Sequence, residues 1–469
     1  MDYTKYVSKL HYIEKYKTAC NASTASEVDS NANVEHKNVA SLRGELFKKD
    51  EIGVHRLGLS EMINKMYGKV AALDYINNLD SHIMYRHDET SGYLLPYCVS
   101  ITMYPFLFDG LTSLGGGSTA PKHLDSFCGE FINLVFAVSS QFAGAVATPE
   151  FLVYMDYFIR KEYGEDYYKH IGDTVDLSIR KRSVDNIITD KFQSIVHTLN
   201  TPASARNYQS VFWNIAYFDK YYFDGLFHDF VFPDGTAPTW DSVSWLQKRF
   251  MNWFNKERLI FPNLTFPVET MNLLSDGTDI LDKEYKDFTA EMWAKGHSFF
   301  TYNSDSVDSL ASCCRLKNEI TENQFSYTLG AGGISTGSKA VITMNINRIV
   351  QNAVRDGKDI GETIREYTKD IHKYLTAYNE IVKENLNAHL LPVYEAGYIS
   401  MEKQYLTIGI NGFVEAAEFM GIEVGLNDEY MKFGEMILKP IYEENKKAKT
   451  KELMFNTEFV PKMSGYKVA

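Results

Sequence analysis

The chain has 469 residues, 45% of them hydrophobic and 23% charged, enough to bury one large core or two to three ordinary ones. Lys and Arg number 48 against 61 Asp and Glu, a formal charge of -13, which argues against general binding to DNA, RNA or an anionic membrane. The five cysteines, Cys20, Cys98, Cys128, Cys313 and Cys314, are odd in number and irregularly spaced, which fits a reducing cytoplasm better than a disulfide-stapled secreted fold.

Met1-Asp-Tyr-Thr-Lys5 lacks the charged and apolar regions of a signal peptide. Residues 21–33 are rich in turn formers and read as an extended surface segment. Ser60 suits a helix N-cap, with Met62, Ile63, Met66, Val70, Leu73, Ile76 and Leu79 behind it as one apolar stripe ending before Asp80. Ile83-Met-Tyr85 reads as a short strand running into Arg86-His87-Asp88-Glu89-Thr90. His87 beside two carboxylates is either a metal cluster or, as is commoner, a turn with a hydrogen-bonded histidine. Leu94 to Met103 is strand-like and carries Cys98.

Gly115-Gly-Gly-Ser118 breaks the chain, and Pro121 suits the first turn of a long apolar helix. The apolar run Ile132–Tyr154 is interrupted by polar residues, so it reads as a helix buried in protein and not as a membrane span. Residues 150–200 are amphipathic and helical in pattern. The aromatic cluster from Tyr208 to Phe232 reads as core or subunit interface. Leu259–Phe266 is a strand candidate, Lys283–Lys295 a helix and His297–Tyr302 a second strand.

That second strand leads to Ser312-Cys-Cys-Arg-Leu316. Adjacent cysteines are too close for a relaxed disulfide and cannot complete a zinc tetrahedron alone. A thiol followed by Arg, between polar stretches, suits a loop tip and thiolate or other sulfur chemistry; two inert core thiols are the alternative. Gly330-Ala-Gly-Gly-Ile-Ser-Thr-Gly-Ser-Lys339 imitates a phosphate loop but has Ser338 where Lys is required. Val341–Ile349 reads as a strand with Asn345 in mid-run, either structural or a substrate hook. Ile360–Leu386 and Tyr430–Lys447 read as helices. Tyr405–Gly412 turns into the helix Phe413–Phe419, and Leu453–Pro461 is a last strand. Interleaved strands and helices predict an α/β fold.

Taken together, Asn31-Ala-Asn-Val34, Tyr97-Cys98, Ser312–Leu316, Gly330–Lys339, Ile342-Thr-Met-Asn345, Tyr405–Phe419 and Phe455-Asn-Thr-Glu-Phe-Val-Pro461 resemble the large subunit of anaerobic, class III ribonucleoside-triphosphate reductases. The resemblance runs in the family's order from about residue 15 to residue 461. It implies a ten-stranded β/α barrel with a central finger loop, preceded by N-terminal helices: an arm and helix over 1–80, the barrel over 81–461 and a divergent tail over 462–469. It further implies Cys314 as the thiyl site that removes the ribose 3′-hydrogen, Cys98 as hydrogen donor to the 2′ side, and Asn345 as a hydrogen-bond partner of the sugar hydroxyls.

The family's C-terminal four-cysteine zinc site and Arg-Val-x-Gly-Tyr radical motif have no clear counterpart after Pro461; Lys462-Met-Ser-Gly-Tyr466 echoes the motif weakly. The expectation is therefore an N-terminal part of a split reductase, with no metal in this chain. A separate C-terminal chain would carry the glycyl radical, generated by a radical-SAM activase. The further partners implied are a ribonucleoside triphosphate substrate, a dNTP or ATP effector and a second copy in a homodimer, in the cytoplasm, with no nucleic acid or membrane. The alternatives are a catalytically inactive nucleotide-binding regulatory homologue and a formate-acetyltransferase-like glycyl-radical lyase.

Overall fold

Gly68 interrupts the helix that the apolar spacing predicts over Ser60–Leu79. The computed structural model describes residues 4–18, 38–176, 181–203, 209–307, 309–311, 317–319 and 335–459. Its first helices are α1 (Val7–Thr18), α2 (Val39–Tyr67) and α3 (Lys69–Asp80). Gly68 takes φ 89°, outside the helical region and open to glycine without a Cβ penalty. Ser60 therefore lies inside α2 and caps nothing. The buried stripe is Leu59 and Ile63 on α2 with Ala72, Tyr75 and Leu79 on α3, while Met66, Val70 and Leu73 face outward.

Strand β1 (Met84–Arg86) follows, then a turn into β2 (Cys98–Ser100) and the single turn α4 (Phe106–Asp109). Helix α5 (Leu124–Ser139) starts three residues after Pro121, with His123 as N-cap, so Pro121 precedes the helix instead of sitting in its first turn. The apolar run Ile132–Tyr154 is not one helix: α5 stops at Ser139, β3 (Val146–Ala147) intervenes and α6 (Phe151–Tyr163) begins after Pro149. Next come β4 (Thr174–Asp176) and β5 (Lys181–Ser183), paired antiparallel, and α7 (Val184–Asn200), capped by the Ser183 side chain.

The aromatic cluster folds into β6 (Trp213–Phe218) and α8 (Lys220–Phe227) and is core, Trp213, Tyr217, Tyr222 and Phe227 all being buried. Helix α9 (Trp240–Ile260) runs into the predicted strand at Leu259, and the strand proper is β7 (Val268–Leu274). Pro262 and Pro267 explain the shift, since neither has an N–H for a ladder. Helix α10 (Lys283–Ala294) and β8 (Phe300–Ser304) follow. Then β9 (Ser309–Ala311) and β10 (Lys317–Glu319) pair antiparallel, Ala311 opposite Lys317. The connecting Ser312–Leu316, with Cys313 and Cys314, lies outside the described residues.

The rest is β11 (Thr336–Asn345), α11 (Ile346–Arg355), α12 (Ile360–Asn387), the turn α13 (Pro392–Glu395), β12 (Gln404–Asn411), α14 (Phe413–Phe419), α15 (Asp428–Ala448) and β13 (Met454–Phe459). The strand predicted to continue to Ile349 ends at Asn345, which caps α11.

Two compact units result. One draws on Met1–Gly44, Val99–Thr336 and Pro392–Ser400, the other on Glu45–Cys98, Gly337–Leu391 and Met401–Ala469. In the first, β2, β3, β6, β7 and β8 pair in that order, all parallel. Val99, Val146, Trp213, Ile215 and Met271 turn into one apolar core with α5, α6, α7 and α9. In the second, β11, β12 and β13 are parallel and β1 pairs antiparallel with β11. Helices α12 and α15 pack together in this unit. Parallel strands joined through helices give the α/β class. No helix among the described residues is long and apolar enough to cross a membrane.

Candidate active site

Cys98 opens β2 and is 1% exposed. Its backbone is gripped from three sides within the second unit. The Tyr97 N–H donates to the Lys339 carbonyl at 2.9 Å. The Gln404 side chain donates Nε2–H to the Cys98 carbonyl at 3.2 Å. Gly337 packs so closely that a Cβ there would stand 2.2 Å from the Cys98 carbonyl oxygen. Backbone cannot yield as a side-chain tip can, so this strand start requires glycine. The Gly-rich motif thus supplies, at its described end, a strand that cradles a cysteine.

The turn ahead of Cys98 is braced as well. Arg86 is buried, donates to the Gly92 carbonyl and lies 4.8 Å over the Tyr378 ring. The Tyr378 hydroxyl donates to the Leu95 carbonyl at 2.7 Å. Arg56 forks onto both oxygens of Glu89 at 2.7 Å each. These contacts hold the chain from Glu89 to Cys98 in place.

His87 Nε2 lies 2.9 Å from Thr343 Oγ1, with the Tyr85 and Tyr97 rings 4.9 and 5.7 Å away. Burial pushes its pKa down to about 4, so the ring is neutral at pH 7. Its environment is a hydroxyl and two aromatic rings. Among the described residues no group of three His, Cys, Asp or Glu could hold a metal ion.

Lys339, the end of the failed phosphate loop, turns away from any ligand. Its Nζ donates to Asn379 Oδ1 at 2.7 Å and to the Met401 and Glu452 carbonyls at 3.2 and 3.5 Å. Burial pushes its pKa down to about 8. Sequence reasoning noted the motif but missed the roles of Gly337, Lys339 and Gln404. The motif fails as a phosphate loop, and only the packed strand shows its Lys339 tying β11 to α12.

Asn345 ends β11 and caps α11. Its Oδ1 accepts the Arg348 N–H at 3.1 Å, capping α11, and its Nδ2 donates to the His82 carbonyl at 3.2 Å. It also stands at the opposite end of β11 from Gly337. Eight residues at about 3.3 Å each put roughly 26 Å between those two positions, and the Asn345 amide is engaged as the cap of α11. Cys128 is a core thiol of α5, its pKa pushed up to about 12 by burial. Cys313 and Cys314 fall outside the described residues.

A sequence profile for the anaerobic ribonucleoside-triphosphate reductases matches residues 47–464. No curated protein matches the chain. Among solved structures, an anaerobic ribonucleotide reductase shares 30% identity at a TM-score of 0.81, over 98% of this chain and 70% of that one. The anaerobic ribonucleotide reductase of Thermotoga maritima, solved with citrate in the active site, shares 28% at 0.80, over 98% and 79%. The same enzyme in complex with dATP and CTP shares 30% at 0.78, over 91% and 70%. With the profile spanning most of its length and the α/β fold of these enzymes reproduced around the clamped Cys98, the chain belongs to the anaerobic ribonucleoside-triphosphate reductase family.

Proposed function

We propose that this chain reduces ribonucleoside triphosphates to 2′-deoxyribonucleoside triphosphates, with Cys314 as the thiyl site that takes the ribose 3′-hydrogen and Cys98 as hydrogen donor at the 2′ side. The observation that carries the reading is the Cys98 clamp. A thiol that must meet one face of a sugar needs a backbone that does not shift, and Gly337, Gln404 and Lys339 hold that backbone. The antiparallel pairing of β9 with β10 supports a tip position for Cys314, midway along the connection between them. Burial of Cys98 suits radical chemistry, which needs water and competing donors excluded.

The family's glycyl radical, formed by a radical-SAM activase, supplies the oxidising equivalent in this reading. A nucleotide effector acts on a homodimer in the cytoplasm; the Thermotoga enzyme was solved with both dATP and CTP. Barrel and finger occupy residues 81–461, after the arm and helix of 1–80.

The test is an anaerobic assay of the chain with the family's activated glycyl-radical region supplied in trans, CTP, dATP and a reductant, either formate or a small redox protein. Formation of dCTP is expected, with at least a hundredfold loss in Cys314→Ala and in Cys98→Ala. Nucleotide binding without any deoxynucleotide product, with either reductant, would reject the reaction and leave a regulatory homologue.

A further inference from the structure

The hairpin of α2 and α3, which belongs to the second unit from Glu45 onward, is apolar on two faces. Ser60 Oγ donates to the Ala72 carbonyl at 3.5 Å and Arg56 to Asp80 at 2.9 Å, so α3 returns antiparallel along α2. One face is buried through Leu59, Ile63, Ala72, Tyr75 and Leu79. The other carries Val54 and Leu57 on α2 with Val70 and Leu73 on α3, all between 52% and 73% exposed. Spacing of three residues stacks the two apolar side chains on each helix. A helix that is apolar on both sides is one that is covered on both, and an exposed apolar patch of this kind marks an interaction site.

The charges around the patch identify what covers it. The whole chain carries -13, so two copies repel over most of their surface. From Glu45 to Asp80 the balance is six acidic residues against five basic ones, and it is ordered along the helix. Exposed Glu51 and exposed Lys65 stand on α2 seven residues either side of Gly58. Lys65 approaches Glu384 at 3.8 Å with both side chains well solvated. A two-fold axis through the patch at the level of Gly58 sets Glu51 of one copy opposite Lys65 of the other, and does so twice. Such a face is self-complementary, apolar centre on apolar centre and opposite charge on opposite charge, as a closed two-fold contact requires.

We propose that the outer face of the α2–α3 hairpin is a contact between two copies of this chain. The two hairpins form a four-helix layer, with Val54, Leu57, Val70 and Leu73 at its centre and the Glu51–Lys65 pairs at its ends. This contact goes beyond the reductase reading and does not depend on it.

The experiment is sedimentation equilibrium of the full chain at micromolar concentration, with thermal denaturation alongside. The wild type is expected at twice the mass of one chain or a higher even multiple. Leu57→Lys combined with Leu73→Lys should halve that mass at unchanged Tm, because both residues are exposed in the single chain. Lys65→Glu should weaken association about tenfold, two exposed ion pairs becoming two like-charge pairs. Adding Glu51→Lys to it should restore the wild-type association constant, since only a face that meets its own copy recovers when both charges are exchanged on one chain. A wild type of single-chain mass overturns the inference. So does a folded Leu57→Lys, Leu73→Lys variant that keeps the wild-type mass, or a charge exchange that fails to restore association. None of these readouts uses reductase activity, so each outcome leaves that reading as it stands.

Discussion

A Cβ on Gly337 would stand 2.2 Å from the carbonyl oxygen of Cys98. This backbone-to-backbone approach joins the start of β11 to the residue proposed as hydrogen donor. Gly337→Ala must push one of the two strands aside, and overpacking of this kind costs roughly 1–3 kcal/mol. Gly129, inside α5, has nothing within 4 Å of its would-be Cβ. Gly129→Ala should therefore hold or gain about 0.5–1 kcal/mol. Urea denaturation of both variants checks the contrast, and Gly337→Ala should also lose reductase turnover because the thiol moves with its strand. Equal stability of the two would mean the Cys98 carbonyl is not where it is described.

Lys339 predicts an alkaline rise in stability. Its folded pKa of about 8 lies below the ordinary 10.5. The unfolded chain therefore holds the proton more tightly between those values, and folding is favoured as pH climbs from 8 to 10.5. The cost of burying the charge is fully present below pH 8, on the order of 3 kcal/mol at one unit per 1.36 kcal/mol. Lys339→Met should flatten that rise. The difference in unfolding free energy between wild type and variant, followed from pH 7 to 10.5, reads it directly; a constant difference would exclude the buried ammonium as its source.

His87 predicts an effect of the same sign at acid pH. Burial lowers its pKa from 6.5 to about 4, so stability is complete above 6.5 and is lost as pH falls through 4. His87→Gln keeps a polar group opposite Thr343 and removes the titration. The variant should lose less stability than wild type between pH 6.5 and 4, by up to about 3 kcal/mol. Superimposable acid profiles would argue that the ring is accessible to water.

Asn345→Ala distinguishes a cap from a sugar contact. Loss of the α11 cap should cost about 1 kcal/mol, and Asn345→Asp, which keeps the acceptor for the Arg348 N–H, should recover most of it. Turnover per folded molecule should stay within a few-fold of wild type in both. A hundredfold fall in turnover at unchanged stability would make Asn345 a substrate residue.

Much of this protein was legible from its residues in order. Ile360–Leu386 and Lys283–Lys295 formed helices almost to the residue, because a single apolar stripe with an aspartate cap is a local signal. Cys98 on an early strand and the α/β class followed from pattern and motif. What the order could not yield was the far partner. Ser60 resembles a cap until α2 is seen to begin at Val39, and Pro262 with Pro267 moved a strand by several residues. Asn345 looks like a mid-strand hook until β11 is found to end there. The requirement for glycine at 337 and the burial of Lys339 against Asn379 arise from strands and a helix brought together from distant parts of the chain. Close approach and desolvation belong to the space between segments, so tertiary structure alone decided them.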